Sequence, residues 1–205
     1  PLVRFQEGQS LDAIWAVQSN GIDPATGKEI FVKADGTITD TWDVNDKIVV
    51  GNMQPKLFGL FGANYEYKGF NLGVSCRYTT GGQIYNQTLV DKVENAELNY
   101  NVDKRAYYDS WKQPGDIALY KSIGINKTAT LVTSRFVQDL NEVDISSVNV
   151  GYDFYRSRFI QKMKLQRLRV MLNMNDVWQF SSVRIERGTA YPFAHTYSFS
   201  VFASF

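Results

Sequence analysis

The feature of this sequence that most restricts its fold is an alternation of apolar and polar residues with a period of two. A period of two places successive side chains on opposite faces of a β-strand. Five segments show it, with the cleanest separation in the second: Lys56–Tyr67, Phe70–Thr79, Val143–Asp153, Leu165–Met174 and Ala194–Phe205. Helical periodicity is scarce, so the sequence predicts an all-β chain with about five antiparallel strands.

The connections between these segments alternate between short and long. Only Lys68 and Gly69 separate the first strand from the second, whereas residues 80–142 separate the second from the third. Short turns at one end of the strands and long loops at the other are typical of outer-membrane barrels, whose short turns face the periplasm. We therefore expect residues 1–54 to form an extracellular loop or hairpin region. Residues 55–205 are expected to supply the C-terminal barrel strands, with 80–142 as a long extracellular loop.

Aromatic residues gather at the two ends of the predicted strands, as the girdles of a membrane barrel do. The residues on the short-turn side are Tyr65, Tyr67, Tyr152, Phe154 and Tyr155, and those on the long-loop side are Tyr78, Trp178, Phe180, Tyr191 and Phe193. Strands of about ten residues, tilted by roughly 45°, also have the length needed to cross the hydrocarbon core. These features predict a transmembrane sheet with lipid on one face.

A soluble β-sandwich binding or adhesin domain is the alternative, because Tyr and Phe are common in any strand. A sandwich requires a cover over the inward face of each sheet, whereas one face of these strands carries Ser, Thr, Asn and Arg. Five strands are also too few to close a barrel, since the smallest membrane barrels have about eight. Either the long loops contain further strands, or the chain is part of a larger barrel. The chain opens on PLVRFQEGQS, without an initiator Met or a basic start, and we take this as favouring the second possibility.

Composition argues against several other classes of protein. Lys and Arg number 22 against 21 Asp and Glu, so no excess charge favours nucleic acid. The chain has one cysteine, Cys76, and one histidine, His195, which argues against disulfides, thiolate clusters and His-based catalysis. None of the common hydrolase, zinc-protease or nucleotide-binding signatures occurs. We therefore expect no enzymatic activity, no cofactor and no metal site.

Several stretches, taken in order, resemble the C-terminal end of SusC/RagA-type TonB-dependent transporters of the Bacteroidetes outer membrane. They are GIDPATGKEIFVKADG (Gly21–Gly36), IVVGNMQPKLFGLFGANYEYKGFNLGVSCRYTTGGQIYN (Ile48–Asn86), WKQPGDIALY (Trp111–Tyr120), SRFVQD (Ser134–Asp139), NVGYDF (Asn149–Phe154), LRVMLNMNDVWQFS (Leu168–Ser181) and the terminal strand that ends on Phe205. The resemblance covers nearly the whole chain.

The resemblance implies that the chain is the last part of a 22-stranded barrel with a plugged lumen. It implies that the plug, the TonB box and most of the strands belong to another part of the protein. It also implies a SusD-like surface lipoprotein that acts as a lid, and import of oligosaccharide or peptide driven by TonB. The expected location is the bacterial outer membrane.

Three groups of residues are candidates for function. Arg77, Arg167 and Arg169 fall on the polar face of their strands. There they line the solute path, contact the plug or acidic groups, or simply add to the polarity of the lumen. Tyr107, Tyr108, Trp111 and Tyr120 lie in the longest outer loop, where they contact the lid or the substrate or pack the loop against itself. Tyr197, Phe199, Val201 and Phe205 form the expected signal for outer-membrane assembly, since an extended segment can add to a sheet edge.

Overall fold

The computed structural model of the chain describes residues 4–97, 99–123, 129–154, 160, 162, 164–184 and 195–205. The chain divides into two compact units. The loop unit comprises Pro1–Pro55 and Gly82–Asp139, and the strand unit comprises Lys56–Gly81 and Leu140–Phe205. Within the described residues, no helix is long and apolar enough to cross a membrane.

Four short strands form an antiparallel sheet within the loop unit. They are β1 (Ala13–Ile22), β2 (Glu29–Val32), β3 (Ile38–Thr39) and β4 (Lys47–Asn52), in the order β3-β2-β1-β4. Sequence analysis missed them. The first five residues of β1, Ala13–Val17, are at most 6% exposed, so both faces of the strand are covered. A strand buried on both faces is apolar without alternation and shows no period of two.

The loop unit also contains short helical segments that the sequence did not predict. Helix α1 (Gln87–Leu89) continues into a π-helical turn at Val90–Glu94, and helix α2 (Arg105–Tyr108) follows. The Asn86 side chain caps α1 by accepting a hydrogen bond from the amide of Leu89, at 3.0 Å. These segments pack into a core formed by Tyr85, Leu89, Val90, Val93, Ala106, Tyr120 and Phe136. The long loop therefore has a hydrophobic core of its own.

The five strands predicted from the sequence form one sheet in the order β5-β6-β7-β8-β9. Their bounds are β5 (Leu57–Tyr67), β6 (Phe70–Tyr85), β7 (Val137–Asp153), β8 (Arg167–Ser181) and β9 (Thr196–Ser204). The pairs β5–β6, β7–β8 and β8–β9 are antiparallel. Three strands are longer than predicted: β6 continues past Thr79, β7 begins before Val143, and β8 continues past Met174.

The turn between β5 and β6 matches the short connection expected from the sequence. Lys68 and Gly69 both have positive φ, 48° and 90°, as the two central residues of a type I′ turn require. This turn follows the right-handed twist of the strands and sets the pairing of Tyr67 with Phe70. That register, continued along the hairpin, aligns the apolar face of β5 with the apolar face of β6.

Candidate functional site

One face of the strand unit is apolar and exposed. Antiparallel partners share a face, so Phe61 lies beside Cys76 and Leu172 lies beside Phe199. Large apolar side chains on this face are 38–67% exposed: Phe61, Tyr65, Leu172, Phe199 and Val201. A contiguous apolar surface of this kind marks contact with a protein or with lipid.

Aromatic pairs mark both ends of this apolar face. At the short-turn end, Tyr65 stacks on Tyr67 at 6.4 Å and Tyr152 meets Phe154 at 4.6 Å. At the other end, Trp178 stacks on Phe180 at 5.7 Å. Tyr152 pairs with Val170, which lies eight positions before Trp178. At 3.3 Å per residue this is about 26 Å along the strand, comparable to the apolar band of roughly 25 Å in membrane barrels.

The girdle residues Tyr155, Tyr191 and Phe193 lie outside the described residues.

The opposite face of the strand unit is polar and carries ion pairs between neighbouring strands. Arg77 on β6 donates to Asp144 Oδ2 on β7, at 2.7 Å from Nη2 and 3.2 Å from Nε. Asp153 on β7 accepts from both Arg167, at 2.8 Å from Nε, and Arg169, at 3.2 Å from Nη2. Sequence analysis placed the three arginines on one face and gave contact with acidic groups as one interpretation, but it did not identify Asp144 and Asp153 as the partners. Asp153 ends a predicted strand, and nothing in its local pattern signalled a charge pair.

Strand β9 carries the residues of the predicted assembly signal. It pairs with β8 and lies at the edge of the five-stranded sheet. Tyr197, Phe199 and Val201 project from one face and are 55–67% exposed, and Phe205 is 84% exposed. An edge strand with exposed alternate side chains has the form of a segment that pairs with another strand.

The four candidate aromatic residues of the long loop separate into two pairs with different environments. Tyr107 and Tyr108 are 60% and 70% exposed, and their rings meet edge to face at 5.4 Å. The Lys112 ammonium lies 4.5 Å from the Tyr107 ring centroid, which adds a cation–π contact. This cluster therefore presents two rings and a positive charge to the surroundings.

Trp111 and Tyr120 instead pack the loop unit against itself. Trp111 donates from Nε1 to the Pro24 carbonyl at 2.8 Å, and its ring lies against Gly27. Tyr120 is 7% exposed in the core, where burial raises the pKa of its hydroxyl. Of the interpretations offered for Tyr120, its internal contacts match packing of the loop against itself.

Sequence analysis missed a buried charge cluster centred on Arg135. The Arg135 guanidinium donates to Glu29, at 3.0 Å from Nη2, and to Glu94, at 2.7 Å from Nη2. It also donates to the Leu119 carbonyl at 2.6 Å. Glu29 and Glu94 are 4% and 2% exposed, so their charges are buried and Arg135 pairs with both of them. Arg135 lies in the SRFVQD stretch, but its partners are distant in sequence and gave no signal.

Among the described residues, no group of three or more His, Cys, Asp or Glu side chains is placed to hold a metal ion.

Comparisons with known proteins match most of the chain. No family model matches it. TonB-dependent receptor P39 of Formosa agariphila is 25% identical over 142 residues, which cover 67% of this chain and 14% of the relative. TonB-dependent receptor P3 of the same organism is 25% identical over 192 residues, covering 86% of this chain and 18% of the relative. The chain thus spans less than a fifth of the length of these relatives.

Solved structures agree on the fold. The RagAB peptide importer in its open-open state matches 94% of this chain and 22% of its own, with a TM-score of 0.71 and 16% identity. A structure of the RagAB peptide transporter matches 83% of this chain and 19% of its own, with a TM-score of 0.65 and 18% identity. Together the comparisons confirm the resemblance and the antiparallel barrel fold predicted from the sequence. The number of strands in the complete barrel stays a prediction.

Proposed function

We propose that this chain, a piece of the C-terminal barrel portion of a SusC/RagA-type TonB-dependent transporter, forms part of the wall and outer loops of an outer-membrane nutrient importer. The observation that carries the proposal is the two-faced sheet. Its apolar face exposes Leu172 and Phe199, while its polar face carries the pairs of Asp144 and Asp153 with arginine. A sheet in a bilayer needs lipid-facing apolar residues that alternate with polar lumen residues.

The same observation weighs against a soluble β-sandwich. In a sandwich, a second sheet covers the apolar face of the first. The apolar side chains between the two sheets then have a small exposed fraction. Phe199 remains 67% exposed in this chain. Acyl chains are the cover that this face requires, so the proposed location is the bacterial outer membrane.

The proposed role of the chain is transport and not catalysis. The curated relatives are named TonB-dependent receptors, and the solved relatives are peptide transporters. On this basis, a plug and TonB box in the rest of the protein receive the force of TonB, and this chain supplies wall and vestibule. Oligosaccharides or peptides are the proposed cargo.

The outer loop offers a seat for a SusD-like lipoprotein. Tyr107 and Tyr108 are exposed beside the Lys112 ammonium, and aromatic residues are enriched where proteins meet. Trp111 and Tyr120 make internal contacts that fix the conformation of the loop carrying the tyrosine pair. The lid therefore meets the tyrosine pair, and Trp111 and Tyr120 act through the shape of the loop.

Labelling with a membrane-impermeant maleimide tests the proposed orientation. In the full transporter, with any other cysteine replaced by serine, Cys76→Ser removes the thiol of this chain, and Ile38→Cys or Gln166→Cys introduces a new one. Ile38 is 67% exposed in the loop unit, and Gln166 lies beside the start of β8. We expect Ile38→Cys to react in intact cells and Gln166→Cys only after permeabilisation. Reaction of Gln166→Cys in intact cells, or absence of both variants from the outer-membrane fraction, contradicts the proposal.

A further inference from the structure

The short-turn end of the strand unit carries exposed lysines beside the aromatic residues of the apolar face. Lys68 is one of the two central residues of the β5–β6 turn, and Lys162 and Lys164 lie in the connection from β7 to β8. All three are exposed. Within the described part of the chain, no carboxylate forms a salt bridge with any of them. Three positive charges are therefore available at this end of the sheet.

Backbone hydrogen bonds hold the β5–β6 turn and the β7–β8 connection at the same end of the sheet. The Asp153 amide donates to the Gly69 carbonyl at 2.8 Å, and the Phe154 amide donates to the Leu168 carbonyl at 2.8 Å. The turn therefore lies beside the end of β7, which lies beside the start of β8. Lys164 is four positions before Leu168, which is at most about 14 Å of extended chain.

The Lys68 ammonium lies on the apolar side of its turn. It is 5.1 Å from the ring centroid of Tyr67, which stacks on Tyr65. Both tyrosines belong to the apolar face and are 55% and 56% exposed. In a membrane, tyrosine rings lie at the level of the headgroups, and a lysine stem extends along apolar surface to keep its ammonium in the polar layer. This ammonium is therefore at the level of the lipid phosphates.

The described acidic residues at this end of the sheet belong to the polar face. Glu66 immediately precedes Tyr67, so its side chain projects from the face opposite the tyrosine. Asp153 is 6% exposed on the same polar face, where it is paired with two arginines. Neither carboxylate balances the lysine charges on the side of the apolar face.

We propose that this end of the sheet binds the phosphate of an anionic phospholipid in the periplasmic leaflet, through Lys68, Lys162 and Lys164. The hydroxyls of the neighbouring tyrosines donate hydrogen bonds to the same headgroup. Basic clusters at a membrane surface attract anionic lipids, whereas a zwitterionic lipid has no net charge to balance the cations. The proposal rests on the proposed function, because that function places this end of the strands at the periplasmic interface.

Two sets of substitutions at the three lysines test the proposal. Lys68→Gln/Lys162→Gln/Lys164→Gln removes all three charges, and Lys68→Gln alone leaves the β7–β8 connection unchanged. Lys68→Arg/Lys162→Arg/Lys164→Arg keeps the charges and should bind the lipid as the unsubstituted protein does. Heat-modifiable migration in gels checks that each variant is folded.

A matched control removes the same number of charges elsewhere in the chain. Lys33, Lys56 and Lys92 are exposed, and Lys56 immediately precedes β5, at the long-loop end of that strand. Lys33→Gln/Lys56→Gln/Lys92→Gln therefore changes the net charge as much as the triple substitution at the short-turn end. A difference between these two variants reports the place of the charges and not their number.

Native mass spectrometry of the delipidated full transporter measures binding of phosphatidylglycerol, phosphatidylcholine and soluble glycerol 3-phosphate. We expect tighter binding of phosphatidylglycerol than of phosphatidylcholine, with this preference reduced about five-fold for each lysine replaced by glutamine. The arginine variant and the control should keep the preference.

Four results would overturn the inference. They are no preference in the unsubstituted transporter, an unchanged preference in the glutamine variant, an equal loss in the control, and binding of glycerol 3-phosphate as tight as that of the lipid. Membrane fractionation and the maleimide labelling above measure location and orientation separately. A correctly oriented outer-membrane transporter without the lipid preference would contradict this inference alone.

Discussion

Arg135 carries an unusual share of the charge pairing in the loop unit. One guanidinium satisfies Glu29 and Glu94, which lie 106 and 41 residues away in the chain. The guanidinium carbon lies 4.5 Å from the centroid of the Phe136 ring, and Phe136 is 1% exposed. This arrangement ties β2, the π-helical turn and the segment around Leu119 to a single side chain.

Arg135→Met should therefore destabilise the loop unit by about 3–5 kcal/mol, because it removes the guanidinium that pairs with two buried carboxylates. Hydrogen exchange of the amides in β2 and Val90–Glu94, measured on the purified transporter, reports the change. Lys28→Met is the control, since it breaks an exposed pair with Asp40 and should have little effect on stability. Equal effects of the two substitutions would contradict this assignment.

Gly27 joins two stretches that the sequence presented separately. It has φ of +69°, and a Cβ atom there would lie 2.5 Å from the Trp111 ring. Trp111 in turn donates to Pro24, as does the Gly115 amide at 2.9 Å. The Gly21–Gly36 and Trp111–Tyr120 stretches are therefore in contact.

Gly27→Ala should displace the Trp111 ring and cost more stability than the backbone strain alone. Gly36→Ala is the matched control, because Gly36 has φ of +85° with no atom near the added Cβ. We expect about 1–2 kcal/mol for the control, from the left-handed backbone, and a larger loss for Gly27→Ala. Protease resistance of the loop unit measures both, and indistinguishable resistance would show that the Trp111 contact is dispensable.

At the scale of single elements, β9 shows how one strand serves two environments. Phe199 pairs with Leu172 on the apolar face, and Ser198 pairs with Asn173 on the polar face. Neighbouring residues of the same strand thus face opposite surroundings, which the alternation in the sequence predicts.

If the apolar face contacts acyl chains, Phe199→Arg should lower the free energy of unfolding by about 2–4 kcal/mol. That is the cost of placing a charged side chain near the bilayer midplane. Ser198→Arg adds the same charge on the polar face and should have a much smaller effect. Denaturant unfolding in lipid vesicles measures the two free energies. A larger loss from Ser198→Arg would reverse the assignment of the faces.

The strand ends were harder to predict than the strands. β6 extends to Tyr85, where Gly82 is buried and Tyr85 is 7% exposed. These last residues face the core of the loop unit, so a simple apolar–polar alternation no longer holds. The same reason explains β1, whose first residues are covered on both faces. An apolar–polar alternation therefore predicts a strand only where the two faces of that strand have different surroundings.

At the scale of the whole molecule, the polar face of the sheet bears on the plug that the proposed function expects. Asp144 and Asp153 each keep one carboxylate oxygen, Oδ1, without a hydrogen bond among the described residues. Asp153 is 6% exposed between two arginines. Buried unsatisfied oxygens are costly, so a further donor from another part of the transporter would stabilise this face.

The double substitution Arg167→Ala/Arg169→Ala should lower the stability of this part of the sheet and weaken the docking of the proposed plug. Both cations of Asp153 are lost, and its buried carboxylate then lacks a partner. Protease accessibility of the plug and uptake of labelled cargo are measured in the full transporter. Arg184→Ala, outside this cluster, serves as the control; unchanged docking and uptake in the double variant would exclude a role for the two arginines.

The sequence by itself determined the five-stranded sheet, its two faces, the β5–β6 turn and the family resemblance. These features are local or periodic, because a strand with one apolar face repeats every second residue. Only the tertiary structure decided the β1–β4 sheet, the partners of the arginines and the buried charge cluster around Arg135. Those features join residues far apart in the chain, such as Arg135 with Glu29, and a contact between distant residues leaves no periodic trace in the residues between them.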